Sequence, residues 1–369
     1  MKVIYIGNYK DGTGWGNAAL NNILAMDKVG IDVVPRCITF NNQPVTVPER
    51  ILELESKSSR GADTVIQHTL PPLFSYNSNF KNICLYETET TDITQAMWPK
   101  FINQLDEAWV PNQKGKETSL LSKVKIPIEI VPHCINVDEY DIGDRKTEVF
   151  ELQKSFNFIF VGECVERKNI EALLKAFHTE FHPKENVKLV IKTSMPNVSR
   201  GDQFQILNDY TNQIKDRLKI RKRYGGDVIV ADRLDRIDYI GLLKNAHCFV
   251  MPSRGEACCI PAVEAGVMGI PVIYTSDNGM EDYVDTGNNS VAASWEPCYN
   301  SMSSPPELHT GRGYWREISV SALRDKMREI YSEHILSIHE YDKRCDEQKK
   351  KAMEFSHEKV GEIIKEKLS

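Results

Sequence analysis

Ser253-Arg254-Gly255-Glu256-Ala257-Cys258-Cys259-Ile260-Pro261-Ala262-Val263-Glu264-Ala265, followed by Gly269-Ile270-Pro271-Val272-Ile273, is the stretch that decides the fold. Glu256 and Glu264 stand eight positions apart. The first falls in a turn just after an apolar run at residues 246–251. The second falls about one turn into a helix that Pro261 can open, because proline is tolerated at a helix start. A loop that feeds a helix N-terminus presents backbone N–H groups and the positive end of the helix dipole. That combination suits a phosphate. Two flanking carboxylates can accept hydrogen bonds from sugar and ribose hydroxyls. Phosphate, sugar and ribose together describe a nucleotide sugar.

Outward from this stretch, short apolar runs alternate with helical ones. Strands are predicted at residues 3–6, 32–36, 64–67, 82–86, 107–111 and 128–132, with a helix over 17–30 that stops at Gly30. The rhythm is strand–helix–strand, which predicts a parallel sheet covered by helices. Residues 141–155 are charged, lack an apolar period and read as a linker. A second α/β unit follows, with strands at 156–161, 187–192, 227–231, 248–251 and 272–274 and helices at 169–181 and 237–245. Residues 295–316 are rich in Pro, Ser and Gly and read as a surface excursion. The tail, 320–368, is helical and charged. No short internal repeat is present.

The decisive stretch resembles the two-glutamate signature of retaining glycosyltransferases of the GT-B fold, particularly family four. In the family form a glycine follows the first glutamate and a second glycine lies two positions on; here these are Ala257 and Cys259. Both glutamates, Pro261 and Ala265 match. The resemblance implies two Rossmann-like α/β domains whose parallel sheets face a central cleft. Residues 1–145 would form the acceptor side, 146–340 the nucleotide-sugar domain, and 341–369 a helix crossing back to the first domain.

Further elements carry the resemblance. Phe160-Val161-Gly162-Glu163-Cys164-Val165-Glu166-Arg167-Lys168 ends a strand in a glycine turn and sets a basic pair before a helix. Lys168 matches the family lysine that contacts the donor diphosphate. Glu163 stands where the family has arginine, and Arg167 is the candidate substitute. A charged contact to phosphate is the physical reason to single these out. Catalytic roles are therefore expected for Glu256, Lys168 and Arg167. Donor-binding roles are expected for Glu264, Gly14, Lys192, Arg233, Leu234 and the loop residues Ala257, Cys258, Cys259 and Ile260. Gly14 belongs to Asp11-Gly12-Thr13-Gly14-Trp15-Gly16, a glycine loop without dinucleotide-binding spacing. Trp15, Glu87 of Tyr86-Glu87-Thr88-Glu89-Thr90, and His133 of Val131-Pro132-His133-Cys134-Ile135-Asn136-Val137-Asp138 are placed on the acceptor side. Ala352-Met353-Glu354-Phe355-Ser356-His357 resembles the start of the family's terminal helix.

Composition sets the remaining bounds. The chain has 369 residues, which suggests two domains. Its formal charge of −6 disfavours stable nucleic-acid binding. The basic run at 215–223 reads as a solvated helix face, with at most peripheral membrane contact. No apolar run is long enough to span a bilayer, and the first residues read as a buried strand and not as a signal peptide. Nine cysteines without C-x-x-C spacing fit a reduced, cytoplasmic compartment. No metal cluster and no cofactor is expected; the donor would be a UDP- or GDP-sugar. A sugar-nucleotide epimerase of the same fold and a non-catalytic nucleotide-sugar binder stay open beside the transferase. The spacing disfavours an oxidoreductase.

Overall fold

The computed structural model describes all residues except 41–44, 142–151, 153, 196–197, 220–226, 232–233 and 300–309. The first sheet is built from β1 (Lys2–Gly7), β2 (Asp32–Cys37), β3 (Thr64–His68), β4 (Lys81–Leu85), β5 (Glu107–Val110) and β6 (Ile128–Ile130). The second contains β7 (Phe156–Glu163), β8 (Val187–Ser194), β9 (Asp227–Ala231), β10 (Cys248–Met251), β11 (Val272–Thr275) and β12 (Ser290–Val291). The strand orders are β2-β1-β3-β4-β5-β6 and β12-β11-β10-β7-β8-β9. Every pairing within both sheets is parallel. Strands β3, β10 and β11 are buried along their whole length. That is why β10 and β11 read as nearly continuous apolar runs and not as alternating ones.

Each strand order contains one reversal. In the second sheet β7 lies beside β10, with later strands running outward on either hand. In the first sheet the corresponding pair is β1 and β3. Crevices beyond the carboxyl ends of such a pair are where open parallel sheets bind ligands. The loop after β7 carries Arg167 and Lys168; the loop after β10 carries Glu256.

The expected surface excursion at 295–316 is corrected. Its described flanks form an antiparallel hairpin, β13 (Ala293–Tyr299) and β14 (Thr310–Ile318), in which Trp295 pairs with Arg316 and Pro297 with Tyr314. The Pro and Ser residues that suggested a loop are concentrated between the two strands. Trp295, Tyr314 and Trp315 are strand formers. The expected linker at 141–155 lies mostly outside the described residues, as does the end of the basic run at 215–223.

The tail contains three helices, Val320–Leu336, Ile338–Ala352 and His357–Leu368. Ile338–Ala352 packs on the second sheet's helices, where Gln348 accepts from the Val272 N–H at 3.2 Å. The return to the first domain is made by His357–Leu368, which packs along the helix Gly14–Lys28. At their crossing a Cβ on Gly361 would lie 2.6 Å from the Ala25 carbonyl, so the two backbones meet where there is no side chain. The His357 imidazole and the Asn21 Oδ1 are 2.7 Å apart and fix the start of that helix. Among the described residues no helix is long and apolar enough to cross a membrane.

Candidate active site

Glu256 is held by two cations. Lys168 Nζ donates to Glu256 Oε1 at 2.6 Å, and Arg167 Nη1 donates to the same oxygen at 3.2 Å. Arg167 also donates to the Gly255 carbonyl at 2.6 Å, and its Nη2 pairs with Glu89 of the first domain at 2.8 Å. The cluster is thus two cations and two carboxylates spanning the gap between the domains. Glu256 is only 5% exposed. Burial alone would raise its carboxyl, but Lys168 and Arg167 outweigh burial and hold it below the usual range. Glu89 is pushed the other way: burial raises it, and the nearby Glu256 charge adds to that, against the pull of Arg167.

Several close contacts fix the loop that presents Glu256. A Cβ on Gly255 would overlap the Glu89 carbonyl oxygen, and one on Gly279 would overlap the Glu256 carbonyl and the Asn112 side chain. Asn112 Nδ2 donates to the Ala257 carbonyl. Tyr283 bridges the domains, donating to the Pro111 carbonyl at 2.7 Å and accepting from the His133 N–H at 2.9 Å. Cys259 adopts φ 62° and ψ 67° at the cap of the helix Ile260–Val267. That is the left-handed region in which glycine is at ease and cysteine is strained. Ala257, Cys258, Cys259 and Ile260 are all buried. Burial pushes the Cys259 thiol up to about 12, and raises Cys258 as well, so both stay protonated near neutrality and neither is an activated nucleophile.

Glu264, 3% exposed, sits in the helix that follows. Arg236 donates to its Oε1 at 2.7 Å and Tyr239 OH donates to its Oε2 at 2.6 Å. Arg236 also reaches Glu139 at 2.9 Å and the Tyr140 hydroxyl at 2.7 Å. Both carboxylate oxygens are therefore engaged by side chains that compete with a ligand hydroxyl.

On the opposite side, His68, Glu87 and His133 converge at the carboxyl ends of the first sheet's strands. His68 Nε2–H donates to Glu87 Oε1 at 2.8 Å, and His133 Nε2 stands 2.8 Å from that same oxygen. Tyr5 OH and His68 Nδ1 are 2.7 Å apart, and Trp15 stacks on His68 with ring centroids 6.0 Å apart. All three residues of the group are buried, and their ligand atoms lie within 4.8 Å of one another. Burial would raise the Glu87 carboxyl; the two histidines outweigh it and lower it strongly. Among the described residues these three are the group whose ligand atoms converge closely enough for a metal ion. Two histidines and a carboxylate are ligand types for a divalent ion; within the group only the His68–Glu87 hydrogen bond forms, and both ring nitrogens of His133 and the second oxygen of Glu87 are buried without a hydrogen-bond partner.

Other expected residues lie apart from these clusters. Gly14 starts its helix in open space, and an added Cβ would meet nothing within 4 Å; the sterically constrained glycine is Gly16, whose Cβ would overlap the Asp11 carboxylate. Lys192 lies within β8, two residues before the strand's carboxyl end. Leu234 packs against the core just ahead of the helix Arg236–Leu243. Arg233 lies outside the described residues. Glu163 is exposed at the end of β7. Sequence reasoning missed Glu89, Arg236, Tyr239, Tyr140 and His68. Only Glu89 had a local signal, since it follows Glu87 by two positions.

Residues 144–296 match the family model of glycosyl transferases group 1. Over its whole length the chain superposes on a sucrose-phosphate synthase from Thermosynechococcus elongatus (TM-score 0.67, 14% identity, 100% of this chain and 98% of that one). It superposes equally on an E. coli trehalose-6-phosphate structure bound with UDP-2-fluoro glucose (TM-score 0.69, 11% identity, 100% and 99%). The fold is GT-B. The two facing parallel-sheet domains expected from the glutamate signature are therefore present, and the matched residues cover the loops carrying Lys168, Glu256 and Glu264. An uncharacterized glycosyltransferase of Methanocaldococcus jannaschii is 27% identical over 185 residues, which is 48% of this chain and 44% of that protein. The chain thus aligns with less than half of that relative's length.

Proposed function

We propose that this GT-B chain is a retaining glycosyltransferase that moves a sugar from a nucleoside diphosphate sugar to an acceptor hydroxyl. The observation that carries this reading is the buried Glu256 held between Lys168 and Arg167 at the reversal of the second sheet, eight residues before a second buried glutamate. Lys168 and Arg167 hold the donor diphosphate, with the backbone of Ala257, Cys258, Cys259 and Ile260 beside it. Glu256 contacts the transferred sugar and Glu264 the ribose. Lys192, Arg233 and Leu234 border the nucleotide, and Gly14 faces the diphosphate from the first domain. Trp15, Glu87 and His133 form the floor of the acceptor side.

In the step itself the bond from the sugar's anomeric carbon to the diphosphate oxygen breaks, and its electron pair leaves with the diphosphate. The acceptor oxygen bonds to the same carbon on the same face, and its proton passes to the departing diphosphate. The protein's contribution is positioning and stabilisation of charge developing on the leaving group. Two fixed cations supply that charge without requiring a metal. Isothermal calorimetry with UDP, GDP and their hexose conjugates tests the donor reading. Saturable binding lost in Lys168→Ala and weakened in Glu264→Gln supports it. Absence of binding to every nucleoside diphosphate removes it. Incubation with donor alone separates transfer from epimerisation: a transferase releases free sugar slowly, whereas an epimerase changes the sugar while it is still attached.

A further inference from the structure

A second cleft, of about 540 Å³, opens beside the Glu256 cluster. One wall comes from the first domain: Thr88, Glu89, Thr90 and Thr91, with Lys114, Glu117 and Leu121 of the helix Gln113–Leu121. The other comes from the β13–β14 hairpin of the second domain, through Trp295, Tyr314 and Arg316. The walls are joined across the domain boundary. The Tyr314 N–H donates to Thr91 Oγ1 at 2.9 Å, and Gly313 packs so closely on Thr90 that a Cβ would overlap its hydroxyl. Glu256 and Gly255 line the cleft's inner end, so its contents lie next to the proposed transfer point.

The lining has the chemistry of a sugar site. A sugar ring has an apolar C–H face and a hydroxyl rim. Trp295 is 50% exposed and Tyr314 47% exposed, which is unusual for large aromatic side chains and leaves ring faces open to a ligand. Arg316 stacks on Trp295 at 4.2 Å and holds the indole in place. The polar part of the lining is Thr88, Thr90, Thr91 and Thr118 with the Glu89 carboxylate. Thr88 and Thr118 already donate to the Thr90 carbonyl and Thr91 accepts from Tyr314, so Glu89, held on one side by Arg167, is the acceptor placed for a ligand hydroxyl. The charges point to an uncharged ligand. The lining cations are Lys114, Arg254 and Arg316. Lys114 pairs with Asp277 and Glu117, Arg254 with Glu317 at 2.5 Å, and Arg316 with Asp277 at 3.6 Å. The lining carboxylates are paired as well: Glu117 and Asp277 with Lys114, Glu89 with Arg167, and Glu256 with Lys168 and Arg167. A phosphorylated or carboxylated acceptor would have to displace an existing ion pair and face those carboxylates.

We infer that this cleft is a further acceptor subsite, beyond the side formed by Trp15, Glu87 and His133, and that it takes a neutral sugar, either a simple glycoside or the end of an uncharged glycan, stacked on Trp295, with Tyr314 standing perpendicular to that ring at its edge and a hydroxyl directed to Glu89. The assignment of the ligand as acceptor rests on the transferase reading; the sugar-binding site itself does not.

The test uses the whole chain and its Trp295→Ala and Tyr314→Ala variants, whose half-exposed positions make loss of folding improbable and whose melting curves check it. The probes are the methyl glycosides of glucose, galactose, mannose and N-acetylglucosamine, with glucose 6-phosphate as the charged comparison. Saturation-transfer NMR measures their binding, and calorimetry measures UDP and GDP binding on the same samples. At least one neutral glycoside is expected to bind wild type and to lose about tenfold in affinity in each variant, as removal of an aromatic partner does. Nucleotide affinity is expected to stay within about twofold. The inference is overturned if no neutral glycoside binds, if binding is indifferent to Trp295, or if glucose 6-phosphate is preferred over every neutral probe. Glycoside binding through Trp295 in a chain that binds no nucleotide would leave the sugar site standing and remove the transferase reading.

Discussion

Replacing Glu256 with glutamine is expected to separate two quantities that usually fall together. Lys168 and Arg167 are balanced by Glu256 and Glu89, so a diphosphate enters a cluster with no net charge to spare. A phosphate oxygen on Lys168 would lie roughly 5 Å from the Glu256 carboxylate. At an effective dielectric of about 20, two unit charges at that separation repel by about 3 kcal/mol. The neighbouring cations and solvent offset part of this, and about 1.4 kcal/mol, or tenfold, is expected to survive as measurable affinity. Glu256→Gln should therefore bind UDP or GDP about tenfold more tightly than wild type, because it frees the two cations and removes the repulsion. Transfer should fall by about a hundredfold or more, because the contact proposed for Glu256 with the sugar loses its charge. Calorimetry with the free nucleotide and a radiolabelled transfer assay on one preparation read both numbers, and a melting curve excludes unfolding. A joint fall of nucleotide affinity and turnover would refute the reasoning, since it would make Glu256 a nucleotide ligand or a support for the loop. So would a variant in which neither quantity moved.

Lys168→Ala should lower turnover at saturating donor by about a hundred- to thousandfold, the usual effect of removing one stabilising contact to a leaving group; near-normal turnover would transfer that role to Arg167. Cys259→Gly should be more stable than Cys259→Ala by roughly 1 kcal/mol, because both remove the sulfur but only glycine is unstrained at φ 62°; equal denaturation midpoints would contradict the strain. His357 is held down at about 4, first by burial and then by Lys28. Its pKa is lower in the folded chain than in the unfolded one, so its contribution of about 3 kcal/mol is present above pH 6.5 and is lost as pH falls towards 4. His357→Gln should flatten the fall in melting temperature between those values, and an unchanged slope would assign the acid sensitivity to other groups such as His247.

How much was legible depended on whether a feature was local. The strands of both sheets other than β12, whose two residues Ser290 and Val291 are too short to leave a run, could be read because parallel strands buried on both faces leave apolar runs of recognisable length, as in Cys248–Met251. Glu256, Glu264 and Lys168 could be read because each sits at a fixed offset from a proline or a glycine turn. His68, Glu87 and His133 could not be read as a group. They are 19 and 46 positions apart and meet only because strands β3, β4 and β6 end on the same edge of one sheet. Arg236 and Tyr239 were missed for a related reason: they look like ordinary positions on a short helix until the fold brings Glu264 against them. The hairpin was missed because the composition of the segment between its strands obscured two short aromatic strands.

The departures from the glycosyltransferase signature are accommodated by geometry. At the position of the signature's second glycine, Cys259 takes the left-handed backbone that a glycine adopts without strain, and the helix Ile260–Val267 begins directly after it. Where the first glycine stands, Ala257 is small enough to be buried, and its carbonyl accepts from Asn112 of the facing domain. The charge reversal at Glu163 is handled differently. That side chain is exposed at the end of β7, while Arg167, four residues on, brings its guanidinium to within hydrogen-bonding distance of Glu256 and Glu89 at once. A lysine at 167 would have to serve Glu256, Glu89 and the Gly255 carbonyl from one nitrogen, whereas the arginine divides them between Nη1 and Nη2 of a planar fork. It follows that Arg167→Lys, which preserves charge, should loosen the link between the two domains as well as the hold on the diphosphate. Small-angle scattering of the free chain, read beside nucleotide affinity, should register both changes; a variant that kept wild-type domain spacing would show that the other bridges, among them Tyr283, Asn112, Tyr314 and the Lys114–Asp277 pair, are enough to set it.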